Sequence, residues 1–144
     1  MAGTVEPRTD MNLDRAGFIV LDHDGCLKLL AAGGLGRVAI NVGALPVILP
    51  VHFWLDSDRV AFCARLGTTL DRATRDAVVA FQTDGGGPDG VLWSVSLTGM
   101  AQRLPRHEPE PGIATGWPAW PTDQPVDVVY ISTEYTTGRR CPGR

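Results

Sequence analysis

The chain has 144 residues, 44% of them hydrophobic and 20% charged, with a formal net charge of -3 and a pI near 5.5. This is the size and composition of one globular domain, and the charge gives no general attraction to nucleic acid or anionic lipid. The longest apolar run, "VGALPVILPV" from Val42 to Val51, is interrupted by prolines and too short to cross a hydrocarbon layer of about 30 Å.

Residues 1–20 open with "MAGTVEPRTDMNLDRAG", which lacks the basic start and apolar core of a secretory signal. They are expected to form a loosely ordered arm on a cytoplasmic protein. Cys26, Cys63 and Cys141 are far apart, with no CxxC spacing or histidine pairing, so reduced thiols and no metal site are expected. Asp22 is placed to cap a helix through "HDGCLKLLAA", with Leu27, Leu30 and Ala31 on one face and Gly33-Gly34 at its end. Gly25 weakens that helix.

After "GGLG" come three β-rich runs, "RVAINV", "LPVILPVHFWLD" and "RVAFCAR", separated by the short turns "GA" and "SD". They read as an antiparallel meander. Pro46 and Pro50 cannot donate ladder hydrogen bonds, so the second strand is expected to be an edge, or bulged, where they fall. Backbone polar groups there are left for another partner. A short helix from Thr68 to Asp76 leads to the strand "AVVAFQT", the loop "DGGGPDG" and the long strand "VLWSVSLTGMAQRL".

Residues 105–125, "PRHEPEPGIATGWPAWPTDQP", show no periodicity and read as a functional loop, since Trp117 and Trp120 argue against solvated coil. "VDVVYIST" supplies a last strand that ends at "TTGRR". About six strands and two short helices in a chain of this length predict a mainly β fold, a small closed or nearly closed antiparallel barrel. Residues 21–140 form this domain and 141–144 a tail.

The turn "ARLGTTLDRATR" collects Arg65, Arg72 and Arg75 in a chain with a single lysine. Gly67, Thr68 and Thr69 open a helix, where unpaired N–H groups and the helix dipole favour an anion. Two hydroxyls and nearby guanidinium groups would complete a phosphate cradle. The other reading is that Thr68 only caps the helix and the arginines lie on a solvated face. Arg37 points either into the barrel mouth or into solvent. His52 has no second histidine to suggest a metal, and a lone strand histidine is more often packed or solvated than ligating. Trp93 either stacks on a flat ligand or fills the core, while alternation sends Ser94, Ser96 and Thr98 to the opposite face. No Ser-His-Asp or Cys-His arrangement has a local signature.

Taken together, "LKLLAAGGLGRVAI", "LPVILPVHFWLDSDRVAF", "GTTLDRA", "VVAFQTD", "WSVSLTGMAQ" and "TGRR" resemble the pyridoxamine 5'-phosphate oxidase-like family of flavin-binding split β-barrels, in the family's order from Asp22 to Arg140. The small actinobacterial members are the most similar. The resemblance implies a six-stranded split barrel and a homodimer with FMN or deazaflavin sites at the subunit interface. It places the cofactor phosphate at the strand and turn from Phe62 to Leu70, with Thr69 where relatives usually carry a lysine and Arg65 or Arg72 available to replace that charge. It sets Pro50, Val51 and His52 beside the isoalloxazine, Arg37 near the flavin or its ribityl chain, and Trp93 and Ser94 near the cofactor. The implied function is a flavin- or deazaflavin-dependent oxidoreductase of a small-molecule substrate. The alternatives are a non-catalytic cofactor-binding or storage protein and a haem-binding barrel using His52. By the resemblance, Arg139 and Arg140 stand where true pyridoxamine phosphate oxidases continue into a longer basic C-terminal region, so pyridoxamine phosphate oxidation itself is not the expected activity.

Overall fold

The structure, a computed structural model, describes residues 13–87, 90–103 and 126–142. The expected loop at 105–125 lies outside these residues, as do residues 1–12 of the arm and the end of the tail. The elements run β1 (Ile19–Leu21), α1 (His23–Leu30), β2 (Gly34–Val42), β3 (Leu45–Asp56), β4 (Arg59–Arg65), α2 (Thr69–Ala73), β5 (Val78–Gly86), β6 (Leu92–Met100), β7 (Gln102–Arg103), β8 (Val126–Ser132) and β9 (Thr136–Arg140). One antiparallel sheet of nine strands joins them in the order β1-β9-β6-β5-β2-β3-β4-β8-β7.

The runs read from sequence correspond to β2, β3, β4, β5, β6 with β7, and β8. The long run after Val91 breaks at Ala101, whose N–H donates to Ala77 O at 2.9 Å. Before the break it pairs with β5, and after it with β8. One continuous stretch of chain therefore meets both ends of the β5-β2-β3-β4-β8 series and curls the sheet into a split barrel. Two strands are additional to those expected. β1 and β9 pair with each other, and β9 pairs with β6, extending the sheet to one side. Three residues of β1 give too little alternation to read, and β9 is the segment expected only to end the previous strand.

Inward alternation fills the barrel. Phe53, Phe62 and Phe81 are fully buried, and Phe53 meets Phe81 edge to face with centroids 4.9 Å apart. Each such ring contributes about 1.5–3 kcal/mol by leaving water. A Cβ on Gly36 would collide with the Phe81 ring, which explains why β2 has glycine there. Asp22 caps α1 by accepting from Gly25 N at 2.7 Å, and the helix turns Cys26 and Leu30 into the core. Burial, aided by Asp22, pushes the Cys26 thiol above its ordinary value. All three cysteines are free thiols. Among the described residues no helix is long and apolar enough to cross a membrane.

β3 is the strand that makes the barrel split. It pairs with β2 from Leu45 to Phe53 but with β4 only from Phe53 to Asp56. Among the described residues, 45–52 are thus paired on one side alone, and both Pro46 and Pro50 fall there. The edge predicted from those prolines is present, and it lies inside the sheet order rather than at its end.

Candidate functional site

At the end of β4, Thr68 has the extended backbone of a helix cap and its hydroxyl accepts from Asp71 N at 3.2 Å. The same hydroxyl donates to Arg65 O at 2.6 Å. Gly67 N donates to Asp71 Oδ2 at 2.8 Å, so a carboxylate of the chain itself occupies one amide of the turn. Gly67 also has a φ of +83°, a conformation that favours glycine. Arg72 is exposed and donates to Gly67 O at 2.7 Å, while Thr69 is exposed on the first turn. The cap and the arginine-rich face are both real, and the turn holds itself together through them.

Asp71 is 4% exposed and is the hub of this region. Its Oδ1 meets Arg75 Nη2 at 2.9 Å and Arg103 Nη2 at 2.8 Å. Arg103 also bonds Asp71 O and Thr74 Oγ1, and its Nε lies 3.1 Å from Asp127 Oδ2. That last contact is electrostatic, because the buried Nε has no aligned hydrogen-bond acceptor. Burial, then Arg75, draw the Arg103 guanidinium below its ordinary value, against the pull of Asp71, Asp127 and Asp76. Arg65, Arg72, Arg75 and Arg103 set against Asp71, Asp76 and Asp127 leave a local surplus of one positive charge. An anion here would rely on backbone groups as much as on net charge.

Of the other expected residues, Arg37, Pro50, His52 and Ser94 lie on the outward face of the sheet, whereas Val51 and Trp93 share the parity of the inward face. Arg37 stands directly across from Pro50 on one side and Gln82 on the other. Its Nη1 is 3.2 Å from Gln82 Oε1 and 3.6 Å from Asp84 Oδ1, and Gln82 Nε2 donates to Asp84 Oδ2 at 3.0 Å. Arg37 therefore lies on the outside of the barrel, held by two polar side chains of β5. Pro50 and His52 are exposed on the same face, whereas Val51 is buried and offers a ligand only its backbone. Trp93 and Ser94 belong to β6, three strands from β3 and so about 14 Å across the sheet. The structure thus joins Arg37 to Pro50 and His52 but sets Trp93 and Ser94 apart from them within one subunit.

Trp93 and Ser94 instead line a cleft of about 660 Å³ with Phe18, Asp84, Gly85, Leu92, Arg139, Arg140 and Cys141. Gly85 lies opposite Trp93, and a Cβ there would come within 2.8 Å of the indole, so glycine lets the ring lie against the hairpin. Sequence reading missed Asp71, Arg103, Gln82 and Asp84 as parts of these sites. The i, i+4 spacing of Asp71 and Arg75, and the outward alternation of Gln82 and Asp84, were the available signals. Arg103 and Phe18 carry none, because their roles arise only from folding.

A sequence model of the family described as pyridoxamine 5'-phosphate oxidase matches residues 22–139. An uncharacterised protein of Mycobacterium tuberculosis is 32% identical over 128 residues, covering 85% of this chain and 84% of that protein. The solved FAD-binding protein from Mycobacterium smegmatis is 27% identical, with a TM-score of 0.66 over 87% of this chain and 99% of that one. A candidate pyridoxamine 5'-phosphate oxidase from Corynebacterium glutamicum is 25% identical, with a TM-score of 0.68 over 88% of this chain and 95% of that one.

Proposed function

The chain belongs to the pyridoxamine 5'-phosphate oxidase family, and from that premise we propose that it is a flavin- or deazaflavin-dependent oxidoreductase acting on a small molecule as a homodimer. The observation that carries the cofactor part is the half-paired run of β3, residues 45–52, with prolines at 46 and 50. Those of its N–H and C=O groups that do not face β2 are open to a ligand, as at any strand edge, and the donor-acceptor edge of a flavin pyrimidine ring would pair with both kinds. Arg37, directly across from Pro50, would contact the ring or its ribityl chain. The 27% identity to an FAD-binding protein supports a flavin as the class of cofactor.

The residues present fit such a group. Gly67, Thr68, Thr69, Arg65 and Arg72 would hold the phosphate, with the single surplus charge counted above standing in for a lysine at Thr69. A bound flavin supplies hydride or electron transfer itself, so the protein's part is to bind, orient and exclude water. FMN is the cofactor first expected.

The homodimer is supported by the outward face. Leu35, Ile48, Val78 and Met100 are 48–68% exposed on β2, β3, β5 and β6, which are neighbours in the sheet. Exposed apolar residues concentrated on one face favour association. Ile48→Glu should convert the dimer to monomer in light-scattering chromatography; a wild-type monomer would remove this part of the reading.

The cofactor is tested optically. Purified protein titrated with FMN, FAD and a deazaflavin should bind at least one, with a shifted flavin spectrum, and a Soret band would instead mean haem. Reduction of the bound cofactor by NADPH and reoxidation by an acceptor separate an enzyme from a carrier. Absence of binding by all three would end the proposal.

A further inference from the structure

On the outward face beside the half-paired run of β3, three side chains close a polar ring. Arg37 Nη1 is 3.2 Å from Gln82 Oε1, Gln82 Nε2 donates to Asp84 Oδ2 at 3.0 Å, and Asp84 Oδ1 lies 3.6 Å from the same Arg37 Nη1. Their roles are complementary, because the guanidinium only donates, the carboxylate only accepts, and the amide between them does both. Period-two alternation puts Gln82 and Asp84 on one face of β5, and the register sets Gln82 directly across from Arg37. Pro50 of the half-paired run is the neighbour of Arg37 on the other side. The side chains of Arg37 and Asp84 stay 43% and 53% exposed, so the pair is formed but not sealed. A ligand at the β3 edge would meet a guanidinium whose charge is already partly offset.

Resting on the flavin placement proposed above, we propose that Asp84 is a positioning residue that sets the redox poise of the bound flavin through Arg37. Reduced flavin carries more negative charge than oxidised flavin at and above neutral pH, so a nearby cation favours the reduced form and a nearby anion opposes it. Arg37 supplies the cation. Asp84, held to it directly and through Gln82, keeps the guanidinium along the sheet and weakens its preference for the reduced form. The pair makes the bound flavin a better electron donor than Arg37 alone would.

The test uses the full-length protein and compares the dissociation constants of oxidised and dithionite-reduced FMN, measured anaerobically at mildly alkaline pH, with FAD in its place if only FAD binds. Asp84→Asn removes the charge but leaves an acceptor for Gln82 Nε2, so Arg37 stays held. It should raise the preference for the reduced form about threefold, the scale of a partly exposed charge pair. Arg37→Gln should lower that preference, Asp84→Glu should keep it near the unmodified value, and Asp24→Asn, exposed on α1, should leave it unchanged. Opposite signs at Asp84 and Arg37 mark a charge effect, because a contact that only braced the sheet would move both variants the same way. An unchanged preference in Asp84→Asn, or a shift of the same sign in both variants, would overturn the inference and leave the function proposed above in place. Failure of the unmodified protein to bind FMN or FAD would remove the inference too, and with it that function unless a deazaflavin binds.

Discussion

Around α2, arginines converge on carboxylates of the same chain: Arg75 and Arg103 on Asp71, Arg103 on Asp127, and Arg72 on a backbone carbonyl. At the end of β9, Arg139 is paired with Asp14 while Arg140 has no partner among the described residues and stands beside Trp93. The α2 region carries more arginine, yet each region is left with a surplus of one positive charge, which at β9 sits on a guanidinium with no partner among the described residues. Arginine density in a sequence is therefore a poor guide to how much positive charge is left unpaired. What matters is how many guanidinium groups remain after the protein's own carboxylates are counted.

The comparison is broken most directly at Asp71. It is buried, and removing it leaves Arg103 without its best partner and Gly67 N without an acceptor. Asp71→Ala should cost about 3–5 kcal/mol in urea unfolding. A cost below about 1 kcal/mol, within the range of exposed pairs, would show that the cluster is not structural.

The next effect separates the α2 arginines that hold the turn from those that could serve a phosphate. Arg65→Ala or Arg72→Ala should weaken flavin binding about tenfold or more, on the scale of one charge-assisted hydrogen bond. Arg15→Ala, exposed on the N-terminal turn, should leave it unchanged. Equal affinities in all three variants would remove the phosphate from this turn. Smaller again is the cap. Thr68→Ala removes the hydroxyl that binds Asp71 N and Arg65 O, and should cost about 1 kcal/mol by thermal or urea unfolding. Least of all, Arg140→Ala should change stability by no more than about 0.5 kcal/mol, because among the described residues its guanidinium holds no partner. A larger loss would mean that its charge is already used.

Much of the barrel could be read because its strands alternate with period two. The buried positions of β2, β5 and β6, Val38 and Ile40, Val79 and Phe81, Val95 and Leu97, are the ones that alternation assigns to one face. Asp22 and Thr68 were legible as caps because short polar side chains before an apolar helix have few other uses. Pro46 and Pro50 announced a half-paired strand for a local reason, the missing N–H. The site was less legible. Arg37 could be named, but not that Gln82 and Asp84 two strands' worth of alternation away in sequence would hold it outside the barrel. Beyond its i, i+4 spacing with Arg75, Asp71 carries no local mark of its role, because its partner Arg103 and the second carboxylate on that arginine, Asp127, lie far along the chain. Trp93 and Arg140 are separated by almost fifty residues and meet only through the β6-β9 register. Ion pairs between distant segments leave no periodic trace, whereas a core does.

The account rests on the half-paired run of β3 as the proposed place of a flavin. Amide resonances of isotope-labelled protein, followed as FMN is added, test this in one experiment. The account predicts shifts concentrated at Ile48, Leu49, Val51 and His52, with a second group at Gly67, Thr68 and Thr69. Saturable binding that leaves those amides unmoved and shifts others would contradict it.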